Sequence, residues 1–132
     1  MTTFTSSYNH DVPWEASFGY SQGYRVGNTI YISGQLAHDE ACNLVGEGDI
    51  AAQCLKTFEN FDTVLLGLGG RRDQVVETTV AIIGLRENFD AVSAAHLNYF
   101  GHHRPASTAL GVVELAMPGQ LVEVAAVARL DI

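Results

Sequence analysis

A chain of 132 residues is long enough to bury one real core and too short for two domains. Its 15 acidic and 7 basic residues leave a net charge of −8, which argues against the clustered cationic surface that grips nucleic-acid phosphates. Apolar residues make up 47% and charged residues only 17%, so the charged surface is sparse, as when partner subunits cover part of it.

In chain order, residues 1–13 are polar and read as an irregular, flexible N-terminal segment closed by Pro13. Trp14-Glu15 follows, and Phe18 to Val26 has strand character. Gly27-Asn28 is a two-residue hairpin signal, with Thr29 to Ser33 as the return strand. Residues 36–48 are rich in Asp, Glu, Asn and Gly and form a loop. Asp49 caps a helix over about 50–66, where Leu55, Phe58, Phe61, Leu65 and Leu68 recur at helical steps, and Gly67, Gly69 and Gly70 end it. Val75 to Ile83 is dense in β-branched residues and reads as a strand buried on both faces. A second helix starts at Asn88 or Asp90, carries Phe89, Val92 and His96 on one side and stops at Gly101. Strands over about 107–116 and 120–130 complete the domain, joined at Pro118-Gly119.

Strands separated by helices imply right-handed crossovers and a mixed sheet with two helices on one face. The strands are apolar on both faces, so the second face needs a cover, and further copies of the chain are the simplest one. No apolar run reaches the ~18 residues of a membrane span. Met1 to Ser7 has neither a basic region nor an apolar core, so no secretory signal and a cytoplasmic location are expected. Cys42 and Cys54 make no disulfide framework, and neither stands at metal-site spacing; Cys54 falls on the apolar side of the first helix as a small hydrophobe. The adjacent His102 and His103 cannot both point one way, and neither metal nor cofactor is expected.

Two polar breaks stand out. Glu123 lies inside the apolar run Leu121-Val122-Glu123-Val124-Ala125-Ala126-Val127-Ala128, where a carboxylate is costly unless it is paired, wet or lining a site. Ser33-Gly34-Gln35 ends the run Ile30-Tyr31-Ile32. With Gly19-Tyr20-Ser21-Gln22, Val26-Gly27-Asn28, Gln53, Val75-Val76-Glu77-Thr78-Thr79-Val80 and Arg104-Pro105-Ala106-Ser107-Thr108, taken in order and spacing, the chain resembles the Rid (YjgF/YER057c/UK114) family from about Trp14 to Arg129.

That resemblance implies an α+β, chorismate-mutase-like (Rid) fold, a mixed β-sheet with two helices on one face, closed as a trimeric barrel in a homotrimer with pockets between adjacent subunits. It also implies a hydrolase (deaminase) of reactive imine or enamine intermediates. In the family's imine deaminases an arginine grips the substrate carboxylate with its planar fork, and a glutamate near the end of the chain positions or activates the attacking water. Carried over, the glutamate is Glu123, the pocket tyrosine is Tyr20, and the backbone groups are those of Ser33 and Gly34. The arginine position holds Ser107, the residue two places on is Ala109, and a helix residue that is asparagine in some members is Ser93.

Losing a bidentate anchor costs a few kcal/mol of binding, on the order of 1.5–3 per charge-assisted contact. The chain is thus similar to Rid subgroups that lack this arginine and carry a Pro-Trp-Glu segment, and the substrate expected is not a standard 2-imino acid. Arg104 is either a substitute cation or a surface or intersubunit ion-pair partner. Ser107 and Thr108 offer neutral hydroxyls in place of the clamp. Trp14 either anchors an N-terminal lid or shapes the pocket, and His96 is either a satisfied core histidine or a proton carrier beside it. The alternative to catalysis is a small-molecule-binding or accessory protein using the same pocket. An RNA-cleaving role, attached to some relatives, is disfavoured by the charge.

Overall fold

The computed structural model describes residues 2–132. A six-stranded mixed sheet is formed by β1 (Thr5–Tyr8), β2 (Gly23–Val26), β3 (Thr29–Gln35), β4 (Val75–Ile82), β5 (Ala106–Gly111) and β6 (Val122–Arg129), in the spatial order β1-β2-β3-β6-β4-β5. Only the β4–β5 pair is parallel. Helices α2 (Ile50–Gly67) and α3 (Leu85–Phe100) cover one face, and a short helix α1 (Pro13–Phe18) lies between β1 and β2 in the chain. Among the described residues no helix is long and apolar enough to cross a membrane.

Helix α2 follows from its periodicity. The Asp49 carboxylate accepts from the Ala52 N–H at 3.1 Å, and Cys54, Phe58, Phe61, Val64 and Leu65 are buried against the sheet. Leu55 is on the outward side and exposed. Burial pushes the Cys54 thiol up to about 11, in keeping with a structural, unreactive cysteine. Strand β6 alternates buried with half-buried residues along its length, which sets its register: Val122, Val124, Ala126 and Ala128 face the helices.

The opposite face, read off the register, carries Tyr24, Tyr31, Val127, Ala125, Glu123, Thr79, Ala81, Thr108 and Leu110. Neither α2 nor α3 covers it. Strand β4 is therefore buried on one face and half-buried on the other, where the sequence suggests burial on both. Strand β5, at the sheet's edge, is exposed at every residue.

Five further boundaries differ from the sequence reading, each for a local reason. The segment read as irregular contains β1, whose residues pair with Gly23–Val26; its Thr-Ser-Ser-Tyr sequence lacks apolar alternation because it lies at the sheet edge. The strand expected over Phe18 to Val26 begins only at Gly23, and a helix precedes it. That helix, α1, has Pro13 in its first turn, the Glu15 carboxylate accepting from the Val12 and His10 N–H groups at 3.2 and 2.8 Å, and Gly19 at φ 86° as its stop. Six residues are too few for periodicity to register, so three helices stand where two were expected. Helix α3 starts at Leu85, because Gly84 at φ 65° turns directly out of β4 and Asn88 reaches back to the Ile83 carbonyl. The last two strands are shorter than read, and a loop through Val113 to Gln120 separates them.

Gln53 ties this loop down from α2. Its Nε2 donates to the Gly46 and Gly119 carbonyls at 3.1 and 2.9 Å, and its Oε1 accepts from the Leu121 N–H at 2.8 Å. Each buried backbone group left unpaired costs ~1–3 kcal/mol. Gln53→Leu is expected to lower stability by about 2–4 kcal/mol, read as a shift of the urea midpoint at unchanged slope.

Candidate active site

The site is built on a break in the β3–β6 ladder. Ile32 pairs with Ala126 and Gln35 with Val124, so Ser33 and Gly34 together oppose one residue in a β-bulge. The Ser33 hydroxyl donates to the Ser21 carbonyl at 2.7 Å, and its N–H donates to the Gln22 carbonyl at 2.8 Å. A Cβ at Gly34 would collide with the Cγ and Cδ of Glu123, so the carboxylate-bearing side chain lies directly on the glycine backbone. The bulge re-aims the strand, and the missing side chain gives Glu123 its place.

Glu123 opens into a cleft of about 720 Å³ that also takes in Trp14, Tyr20, Ser33, Gly34 and Met117. Burial alone raises its carboxyl above the usual carboxylate range, with no cation or donor pulling the other way. A carboxylate raised toward neutrality and facing a cleft is suited to take a proton from water. The Tyr20 hydroxyl accepts from Gln22 Nε2 at 3.0 Å, and burial raises its pKa, with Glu15 and Glu123 adding to the rise. Tyr20 sits in the extended stretch after α1, outside the first long strand where the sequence places it.

Ser93, His96, Arg104, Ser107 and Ala109 line a second cleft, of about 310 Å³, between α3 and the β4–β5 edge. Its wall is mostly apolar, with Phe89, Val92 and Leu97 prominent. Behind its wall the buried Thr78 hydroxyl lies 2.7 Å from Ser107 Oγ and 2.9 Å from His96 Nε2, within hydrogen-bond reach of both. Burial lowers the His96 pKa and favours the neutral ring. Arg104 is exposed at the rim and takes part in none of the ion pairs among the described residues.

The ten remaining expected residues thus divide five and five between the two clefts, and Thr108 joins neither. It pairs with Thr79 on the open face, because successive residues of β5 alternate sides. The same alternation separates the clefts: Ser107 shares the helix side with Thr78, whereas Glu123 lies in the open-face row with Ala81 and Leu110. Residues that sequence reasoning missed are Phe18 and Met117, at the wall of the Glu123 cleft, and the amides Gln22 and Gln35 behind it. Only the amides left a trace in the sequence, as polar neighbours of the two glycine-containing breaks.

The clefted α+β sheet with a glycine-seated glutamate defines a class that comparison identifies. Residues 12–130 match the family described as Endoribonuclease L-PSP. The chain belongs to this family, also called the Rid or YjgF/YER057c/UK114 family. Human 2-iminobutanoate/2-iminopropanoate deaminase is 33% identical over 109 residues, covering 83% of this chain and 78% of the human protein. A RutC family protein of Pyrococcus abyssi is also 33% identical, over 83% of this chain and 84% of its own. The crystal structure of a YjgF/YER057c/UK114 member from Mycobacterium tuberculosis superposes with a TM-score of 0.85 at 25% identity, over 96% and 99% of the two chains. A Rid family protein from Yersinia pestis gives 0.84 at 30% identity, over 96% and 99%.

The raised Glu123 carboxyl has a consequence for stability. Below the ordinary glutamate range it is protonated in both folded and unfolded chains and contributes nothing; as pH rises through its folded value, the folded state resists ionisation and stability is lost. Glu123→Gln is therefore expected to melt at a higher temperature than the wild type at about pH 7.5, and the gap to close on acidification toward about pH 4, as followed by calorimetry.

Proposed function

We propose that this protein hydrolyses reactive imines or enamines that lack a carboxylate beside the C=N bond, at pockets between the subunits of a homotrimer. The observation that carries the reading is the Glu123 side chain seated on Gly34 and opening, with a raised pKa, into a cleft. The curated relatives named as imine deaminases support the reaction class.

Glu123 acts as general base. It takes a proton from water as the oxygen bonds to the imine carbon, and the C=N electron pair passes to nitrogen. Nitrogen, protonated, then leaves as ammonia or amine as the carbonyl forms, so imine and water give carbonyl compound and amine. No cofactor is needed.

The uncovered apolar face and the unpaired outer edge of β5 support assembly, since both ask for a partner. The half-sites lie on opposite faces of the sheet, and a neighbouring copy would bring its Ser107 cleft to the Glu123 cleft. In that composite pocket the serine hydroxyl, turned inward to Thr78, replaces the carboxylate clamp of the imino-acid deaminases. Arg104 supplies what positive charge the rim has. The absent clamp also favours a second reading, a binding or accessory protein without turnover. RNA suits the surface poorly: four of the seven cations are held in ion pairs with acidic neighbours.

The test is imine hydrolysis with 2-iminopropanoate and with neutral and aryl imines generated in situ. The wild type is expected to prefer neutral imines, Glu123→Gln to lose about 10²–10⁴-fold in kcat while remaining a trimer, and Ser107→Arg to gain turnover of 2-iminopropanoate. Equal rates for wild type and Glu123→Gln refute the general-base role. Silence on every imine, with tight and saturable ligand binding, favours the second reading.

A further inference from the structure

Behind the Glu123 cleft lies a row of side chains that the proposed reaction has not used. Gln22 and Gln35 are 2% and 1% exposed. Gln35 Nε2 donates to the Ser33 carbonyl at 3.0 Å and to Gln22 Oε1 at 2.9 Å; Gln22 Nε2 donates to the Tyr20 oxygen at 3.0 Å; and His10 Nε2 meets Gln35 Oε1 at 2.8 Å.

The direction of every bond in this row follows from one backbone group. A carbonyl oxygen only accepts, so the Ser33 carbonyl decides which end of Gln35 is nitrogen. Gln22 must then turn its oxygen to Gln35 and its nitrogen to Tyr20. Gln35 Oε1 carries no proton, so His10 must donate from Nε2, and it does so whether its ring is neutral or charged. At the other end the Tyr20 oxygen accepts from Gln22. The hydroxyl proton of Tyr20 has no acceptor in the wall and is left to the cleft that Tyr20 lines with Glu123.

We propose that His10, Gln35 and Gln22 are positioning residues whose one-way hydrogen-bond relay leaves the Tyr20 proton free to be donated to the substrate. This rests on the imine-hydrolase reading for what the donor meets: the unprotonated imine nitrogen, with the attacking water on the Glu123 side. It points to ligands that present an acceptor at that point. A bond donated there strengthens as negative charge develops on the acceptor, the condition for lowering a barrier instead of merely binding. The relay is tied to the fold at its His10 end. The His10 N–H is held by the Glu15 carboxylate of α1, and the His10 ring sits edge-on to Tyr8 and His38.

Gln22→Glu tests the direction without changing the shape. Its carboxylate still accepts from Gln35, but it now accepts from Tyr20 as well, turning the phenol proton back into the wall. Turnover of a neutral imine is expected to fall about tenfold, as for Tyr20→Phe, and the double variant Tyr20→Phe/Gln22→Glu to be no slower than Tyr20→Phe alone. A further loss in the double variant would mean Gln22 serves only to hold the fold, and would overturn the relay.

A readout free of substrate keeps this apart from the fate of the imine reading. In protein labelled with ¹³C at tyrosine Cζ, the Tyr20 phenol is expected to titrate at higher pH in Gln22→Glu than in the wild type, because it donates to an anion. The acidic groups facing it, Glu15 from α1 and Glu123 from β6, are the same in both proteins. An unchanged Tyr20 titration would sink the relay even if imines are turned over, and a raised one sustains it even if none is. Should Gln22→Glu fail to fold, Gln22→Met removes the donor without adding an acceptor; a smaller upward move of the same resonance is then expected, and no move refutes the proposal.

Discussion

The contact on which the site depends is the seat of Glu123 on Gly34. A carboxylate in a half-buried strand needs a position where its methylenes are packed and its head is reachable. The bulge at Ser33 and Gly34 creates it by spending one extra residue of β3 against β6 and omitting a side chain at that point. Any Cβ there would displace the carboxylate. The same bulge places the Ser33 carbonyl where it orients the Gln35 amide, so one irregularity in the ladder arranges both the proton acceptor and the donor network of the cleft.

The architecture also explains why one chain looks unfinished. Its helices cover one side of the sheet and bury a continuous core from Phe61 through Val124 to Val80. The other side keeps Tyr24, Tyr31 and Leu110 about half exposed, at 46%, 51% and 49%, along one face. The alternation of β5 puts Ser107 and Thr108 on different sides, and with them the polar groups of the second cleft and the apolar row of the open face. Packing and chemistry are thus divided by the pleat, not by domains.

Much of this was readable from residues alone. Strong periodicity gave α2, and the β-branched run and the apolar run around Glu123 gave β4 and β6, because long elements repeat their signal several times. Strand β1 and helix α1 were hidden for the opposite reason. A four-residue edge strand buries little, and a six-residue helix stands on Pro13, Glu15 and Gly19 instead of on an apolar stripe. Glu123, Ser33 and Gly34 were visible as polar or small residues breaking apolar runs. His10 was not, since its link to Gln35, and through it to Tyr20, is purely three-dimensional: 25 residues separate His10 from Gln35 in the chain. Thr108 was misplaced because adjacent hydroxyls in a strand cannot share a face.

Strand β6 lies in the middle of the sheet although it follows every other strand in the chain. Thr29 waits for Arg129 and Val75 for Ala128, so neither β3 nor β4 has its inner neighbour until this last strand has emerged. During synthesis the ribosome therefore exposes two incomplete half-sheets, each with a bare inner edge and a greasy helix beside it. Folding is dominated by contacts of long sequence separation, which close slowly.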